Sequence, residues 1–431
     1  MRRPLVLIPQ FFGSLIFDRR TSRYLPFDRE STDFLKACTQ RSAFELIAAI
    51  QDQNQQRDFI DFYDHFARQG YFSIDGLLAA DVLDVEPPAD HFTGPLAVHL
   101  EIIGACNLAC THCFAGELPR NENPLSLAEI DDVCGQLAGI GAFRLGLTGG
   151  EPLMREDFFD ILDTATDHGL HPCLTTNGLY ITDEIAREFG KRDLVWLNVS
   201  LDGATAETND AIRGMGTFDE VLERLRILGR HTRFTLAFTI TKQSAEEVEA
   251  CVELAREVGA HTAVFRPVYP TGTALRNLAL MPTFQQYTDA LVRIEGMLEP
   301  DEDTHGMDPF SPQSRSVSKA KILSANRCGA ANHVASISVQ GDVNPCSFLG
   351  TEWNSGNIRE RSFREIWDAS HNFVRMRAMS DADNDDAFAG GCRARSLAFE
   401  GDVNRPDPWH KEFVELNTRL DPLANLVIDH E

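Results

Sequence analysis

The sequence predicts an α/β fold built on a parallel sheet, with a small α+β unit before it and a cysteine-bearing segment after it. Three observations carry this. Short apolar runs alternate with helical stretches from Leu96 to about Pro270, the pattern of strand–helix units in a parallel sheet. Helix starts between the runs carry capping side chains. The 431 residues, 43% of them hydrophobic, suffice for a large core and more than one domain. The expected divisions are 1–95, 96–300 and 301–431.

Within 1–95, Leu15-Ile16-Phe17-Asp18 and Tyr24-Leu25-Pro26-Phe27 read as hairpin arms around Arg19-Arg20-Thr21-Ser22. Helical spacing runs through Asp33–Cys38, Ala43–Ile47 and Phe59–Tyr63, and Gly70-Tyr71-Phe72 reads as a wing-like strand. Glu86-Pro87-Pro88-Ala89-Asp90 reads as a linker. The strands expected beyond it are Ala97–Ile103, Phe143–Thr148, Pro172–Thr176, Leu194–Leu201, Arg233–Ile240 and Thr262–Arg266. Ser126, Thr217 and Ser244 each precede a glutamate by three residues, the capping-box spacing. Asp157–His168 and Asp183–Lys191 supply further helices. Pro300–Ser318, rich in Asp, Pro and Ser, reads as a loop over the active site or a surface insertion.

Charge and composition exclude several classes. A net charge of −25 argues against a nucleic-acid partner, which wants Lys and Arg patches. The first residues are too short and too Pro-broken for a signal peptide, and no run of about 18 apolar residues suggests a membrane span. A cytoplasmic protein is expected. Its ten cysteines then read as reduced thiols or metal ligands, not disulfides. Cys38, Cys134, Cys173 and Cys251 lie in apolar surroundings and read as small buried hydrophobes.

The chemistry concentrates in Cys106-Asn-Leu-Ala-Cys110-Thr-His-Cys113. Three thiolates on one short loop can hold three irons of a [4Fe–4S] cube and leave the fourth iron open. Zinc is the alternative, but its sites usually close with four ligands, commonly in paired C-x2-C units. His112 is poorly placed to join its neighbours on one metal.

The C-x3-C-x2-C run resembles the signature of the radical S-adenosylmethionine (SAM) superfamily. That resemblance implies a partial (β/α)6 barrel, a [4Fe–4S] cluster whose open iron binds SAM, and a flavodoxin- or ferredoxin-like electron donor. Later segments match the superfamily in order. Thr148-Gly149-Gly150-Glu151-Pro152 resembles its GGEP motif, where Glu151 would meet the SAM amino group. By the same resemblance Asn177 lies near SAM, Ser200 reaches its ribose or methionine part, Arg213 its carboxylate, and Arg266 its adenine or the substrate. Arg suits a carboxylate, being permanently charged and forked. A surface salt bridge is the plainer reading of Arg213.

Beyond the barrel, Cys328, Gly341-Asp342-Val343-Asn344-Pro345-Cys346 and Gly390-Gly391-Cys392-Arg393-Ala394-Arg395 resemble the SPASM domain, which normally carries two auxiliary clusters. Cys328, Cys346 and Cys392 match ligands of the first. The positions expected to ligate the second hold Met379, Ala382, Phe388 and, approximately, His410. The resemblance therefore implies a one-cluster, twitch-like version with one auxiliary [4Fe–4S] cluster. Its fourth iron is open or bound by a residue such as His333, with Asp386 and His410 as poorer candidates. A purely structural cluster is the plainer reading.

Residues 1–95 resemble the PqqD-like, winged-helix peptide-recognition domain fused to many peptide-modifying members. They hold more Asp and Glu than Lys and Arg, which argues against DNA binding. A structural cap is the alternative. The leading expectation is maturation of a ribosomally made peptide. The runner-up is an oxidoreductase or dehydratase acting on a small molecule, an aminosugar or tetrapyrrole. A non-catalytic metal-binding protein is the third reading.

Overall fold

A computed structural model describes residues 2–116, 123–192, 194–297, 304–305, 328–382, 391–409 and 412. Apart from Thr304–His305, Pro300–Ser318 lies outside the described residues, as do Asp386, Phe388 and His410.

The N-terminal unit runs β1 (Leu5–Gln10), β2 (Gly13–Asp18), β3 (Arg23–Asp28), α1 (Arg29–Cys38), α2 (Ala43–Ala48), α3 (Gln53–Arg68) and β4 (Ala80–Val82). Its sheet has the order β3-β2-β1-β4, antiparallel except between β1 and β4. The expected hairpin is β2–β3. The central strand β1 was not expected, because a strand covered on both faces shows no alternation. All six of its residues are buried. Leu5 and Leu7 join Ile16, Phe34 and Leu35 in the unit's own core. Val6 and Ile8 join Phe17 and Tyr24 in the large core shared with the barrel. The Gly70–Phe72 wing is reduced to a single bridge, Phe72 to Leu78.

The barrel follows as β5 (Ala97–Ile103), α4 (Leu127–Gly139), β6 (Arg144–Gly149), α5 (Phe158–Asp167), β7 (His171–Thr176), α6 (Asp183–Gly190), β8 (Trp196–Leu201), α7 (Ala206–Arg213), α8 (Thr217–Leu228), β9 (Thr235–Ile240), α9 (Val248–Glu257), β10 (Thr262–Pro267) and α10 (Phe284–Glu295). These strands pair in sequence order, all parallel. Thr304–His305 extends the β10 edge, and the hairpin Val334–Ile337/Val343–Asn344 extends the β5 edge through a parallel pairing.

The Ser126–Glu129 capping box is present. The other two are not. Asp210 accepts from the N–H groups of Gly216 and Phe218 (2.6 and 2.9 Å) and so caps α8 in place of Thr217. Ser244 opens a short 3-10 turn and bonds Thr241.

Alternation along β5 sends Val98, Leu100 and Ile102 into the core with Ile130, Val133 and Leu137 of α4. His99 and Glu101 take the opposite, inner face, in register with Gly146 and Thr148 of β6. The N-terminal sheet docks at the strand-start end of the barrel. Tyr24 Oη donates to Gly141 O (2.9 Å) and accepts from Phe143 N (2.7 Å). Phe17 stacks on Phe143 at 4.9 Å. Arg144 Nε donates to Ser22 O (2.7 Å). Among the described residues no helix is long and apolar enough to cross a membrane.

Candidate functional site

A cavity of about 240 Å³ opens at the C-terminal ends of the barrel strands, where parallel barrels place their ligand sites. Cys106, Cys110 and Cys113 all line it, as do Gly149, Gly150, Glu151, Asn177, Ser200, Arg213 and Arg266. The residues expected at the SAM site are thus brought to one place. Pro152 is buried behind it, opening a 3-10 turn capped by Glu151.

The cysteine loop leaves β5 and is pinned along its length. Glu151 N donates to Ala105 O (2.8 Å), Thr111 N to Ile212 O (3.0 Å) and Thr273 N to Cys113 O (2.8 Å). The approach of the GGEP turn requires glycine. A Cβ on Gly149 would stand 2.2 Å from Ile103 O, and one on Gly150 2.0 Å from Ala105 O. Burial pushes the Cys110 thiol up to about 11; Arg213 pulls it down, while Asp202, Cys113 and Cys106 push it further up. Cys106 and Cys113 therefore both lie within electrostatic reach of Cys110. Among the described residues no group of three or more His, Cys, Asp or Glu could hold a single metal ion. Three thiols on one loop, with no fourth ligand identified among the described residues, fit an iron–sulfur cube with one open iron.

Glu151 is 1% exposed. Its carboxylate accepts from Thr176 Oγ1 (2.7 Å), Asn177 N (2.8 Å) and Leu153 N (3.1 Å). Burial raises its pKa, against those hydrogen bonds. Arg213 is no surface residue. It is 9% exposed and its Nε stands 2.6 Å from Asp202 Oδ2. His112 Nε2 reaches the same oxygen at 2.8 Å. Sequence reasoning missed Asp202 and set His112 aside. Both were marked by position, one ending a strand and the other inside the cysteine loop.

Other wall residues were also missed. Tyr269 stacks on Phe348 with ring centroids 4.1 Å apart, and Phe114 meets Phe348 edge-on at 5.8 Å. His99 Nδ1 pairs with Ser347 Oγ at 2.8 Å. Ser347 and Phe348 follow Cys346 directly, so this wall of the cavity continues into the second cysteine group.

In that group, Ala331 N donates to Pro345 O (3.1 Å), joining the Cys328 loop to the Cys346 hairpin. Cys392 occupies the N-cap position of the helix Arg393–Glu400. Burial pushes its thiol up to about 11, Arg395 draws it down, and Asp407 and Cys328 push it up. Cys328 is thus within electrostatic reach of Cys392, all three thiols of this segment are partly buried, and the backbone bond brings the Cys346 hairpin to the Cys328 loop. His333 is partly buried with its ring edge-on to Phe92 at 5.3 Å, and burial lowers its pKa. Met379 is partly buried against the main core.

The profile of the radical SAM superfamily matches residues 100–255, and that of the iron-sulfur cluster-binding SPASM domain matches residues 328–393. The mycofactocin maturase MftC of Mycolicibacterium smegmatis is 31% identical over 329 residues, covering 73% of this chain and 82% of that protein. The chain belongs to the radical SAM superfamily. As a member it is an enzyme, with SAM, a SAM-binding iron–sulfur cluster and an auxiliary cluster as cofactors. The AdoMet-dependent heme synthase of Methanosarcina barkeri is 30% identical, covering 73% of this chain and 96% of its own. The structure of Streptococcus suis SuiB bound to precursor peptide SuiA superposes with a TM-score of 0.68 at 15% identity, covering 94% of this chain and 99% of that one. This radical SAM enzyme therefore shares its fold with SuiB over nearly its whole length.

Proposed function

We propose that this enzyme matures a ribosomally made peptide, held in part by residues 1–95. When bound and reduced, the cofactor supplies a carbon-centred radical that takes a hydrogen atom from substrate. In this reading Cys106, Cys110 and Cys113 hold the SAM cluster. Gly149, Gly150, Glu151, Pro152, Asn177, Ser200, Arg213 and Arg266 form the SAM site. Cys328, Cys346 and Cys392 hold the auxiliary cluster, with His333 the candidate for its fourth position. The enzyme works in the cytoplasm and draws electrons from a flavodoxin- or ferredoxin-like donor.

The observation that carries the peptide reading is the edge of the N-terminal sheet. Strand β3 lies at the edge of its sheet. Beside it, Phe62 and Phe66 of α3 meet Phe27 at 5.8 and 5.3 Å, yet no residue of α3 is fully buried. A free strand edge beside a half-exposed aromatic row suits an extended peptide, main chain to the edge and side chains to the rings. The maturase name of the MftC relative supports the same reading. The heme synthase relative supports a small-molecule substrate as the second reading.

Removing residues 1–95 is a poor test, because it would strip the cover from Phe143 and Ala142 of the barrel core. The test keeps the chain whole. Formation of 5′-deoxyadenosine by reduced, anaerobic enzyme is measured with host extract split into peptide and small-metabolite fractions. Stimulation by the peptide fraction alone is expected. Stimulation by small metabolites alone would overturn the reading.

A further inference from the structure

The segment after the barrel buries more charge than its packing requires. Arg395 is 1% exposed and Asp407 0%. Arg395 donates through Nε and Nη2 to Asp407 Oδ2 (2.9 and 2.7 Å), and Nε also reaches Oδ1 (3.0 Å). The guanidinium lies 3.8 Å over the Trp409 ring, which itself stacks on Tyr287 at 5.2 Å. Asp407 Oδ1 accepts from Trp409 N (3.0 Å). The pair is therefore held rigidly, with each charge satisfied.

Its place is what matters. Asp407 Oδ2 also accepts from the backbone N–H of Cys392 (2.7 Å). Cys392 occupies the N-cap position of the helix that carries Arg395 in its first turn. One carboxylate oxygen thus ties the thiol-bearing residue to the guanidinium. On the cavity side, Tyr269 lies within electrostatic reach of Arg395.

Replacing a buried ion pair with apolar residues is often neutral or stabilising, so stability alone gives little reason to keep one. An iron–sulfur cluster gives a reason. Its potential follows local charge, hydrogen bonding and burial, and a fixed charge in a dry site acts at much greater strength than in water. Reduction adds one negative charge to the cluster. A neighbouring cation favours that state and a neighbouring anion opposes it.

We propose that the Arg395–Asp407 pair sets the reduction potential of the auxiliary cluster, Arg395 raising it and Asp407 holding it in check. This rests on the reading of Cys328, Cys346 and Cys392 as cluster ligands. Both residues are positioning residues, acting on the cluster through charge.

The test is a redox titration followed by electron paramagnetic resonance. The full chain is used with Cys106, Cys110 and Cys113 changed to alanine, so that the auxiliary cluster alone gives signal. Arg395→Met should lower the reduced-to-oxidised ratio at the parent midpoint at least tenfold, about 59 mV for one electron. Asp407→Asn should move it the other way. The double variant Arg395→Met/Asp407→Leu, neutral like the parent, should return close to it. Unmoved potentials in iron-replete single variants, or shifts of one sign in both, would overturn the proposal. If Arg395→Met fails to fold, the near-isosteric Asp407→Asn decides alone. Loss of iron from both single variants with intact circular dichroism would make the pair a structural support and also overturn it. A parent with no auxiliary iron would sink the ligand reading itself, a distinct failure.

Discussion

Asp202 and Arg213 form a buried ion pair, Oδ2 to Nε 2.6 Å, and Arg213 lines the cavity. His112, adjacent to Cys113 in the cysteine loop, shares the same carboxylate at 2.8 Å. Asp202 also accepts from Thr239 N (3.0 Å). One carboxylate therefore ties the cysteine loop, the end of α7 and β9 together.

Asp202→Asn should destabilise the protein by about 3–5 kcal/mol, because it leaves Arg213 buried without its counter-charge. Burial by itself would raise the pKa of Asp202. Arg213 and His112 outweigh it and hold the carboxyl well below its ordinary value. A depressed carboxylate contributes stability above its unfolded value, roughly 3.9, and loses it as pH falls. Urea unfolding should show the gap between wild type and variant narrowing below about pH 4. A gap constant with pH would refute the assignment.

Glu101 shows the opposite sign. It lies on the inner face of β5, accepts from the Val339 N–H, and its Oε2 has no partner among the described residues. Burial pushes it up to about 8. Its contribution to stability is complete below the unfolded value and is lost as pH rises toward 8. Wild type should weaken across that interval by at most roughly 1.4 kcal/mol per pH unit. Glu101→Gln should flatten the slope. Parallel urea midpoints for the two proteins would refute the assignment.

The parts legible in the sequence were those with local causes. The strands β5 to β10 followed from apolar runs, and the cysteine, GGEP and Asn177 segments fell at the strand ends where a parallel barrel gathers them. What escaped depended on contacts distant in sequence. β1 has no alternation because helices cover one face and the barrel the other. Asp202 ends a strand as any turn aspartate does, and only the fold brings it to His112 and Arg213. Tyr269 and Phe348 stand far apart along the chain. Their stacking depends on a hairpin beyond the barrel joining the β5 edge.

The two cysteine groups should separate by iron content. Cys106→Ala should lose about four of about eight irons and all reductive cleavage of SAM. Cys346→Ala should lose a similar amount of iron yet still form 5′-deoxyadenosine, without product. Iron and 5′-deoxyadenosine assays on the reconstituted proteins check both. Full iron in Cys346→Ala would remove that residue from the auxiliary site.

Tyr24 fastens the N-terminal sheet to the barrel through a hydroxyl that donates to Gly141 O and accepts from Phe143 N. Tyr24→Phe keeps the ring but strands two buried backbone groups. A loss of about 1–3 kcal/mol for each group left unpaired is expected, read as a lower urea midpoint. An unchanged midpoint would mean that water replaces the hydroxyl.

The stacked pair of Tyr269 and Phe348 lines the same cavity as the cysteine loop, two residues from Cys346 in the case of Phe348, and on the proposed function its rings are a surface for substrate. An aromatic pair of this kind contributes about 0.5–1.5 kcal/mol beyond its buried area. Removing one ring also widens the space in which a radical must be held close to its target. Misplacement by about 1 Å can cost 100-fold in rate. Phe348→Ala should therefore leave cofactor binding and 5′-deoxyadenosine formation in place while product per 5′-deoxyadenosine falls at least tenfold. Phe348→Tyr, which restores the ring, should recover most of that ratio. Mass spectrometry of product against 5′-deoxyadenosine measures it, and an unchanged ratio in Phe348→Ala would move the substrate to another wall of the cavity.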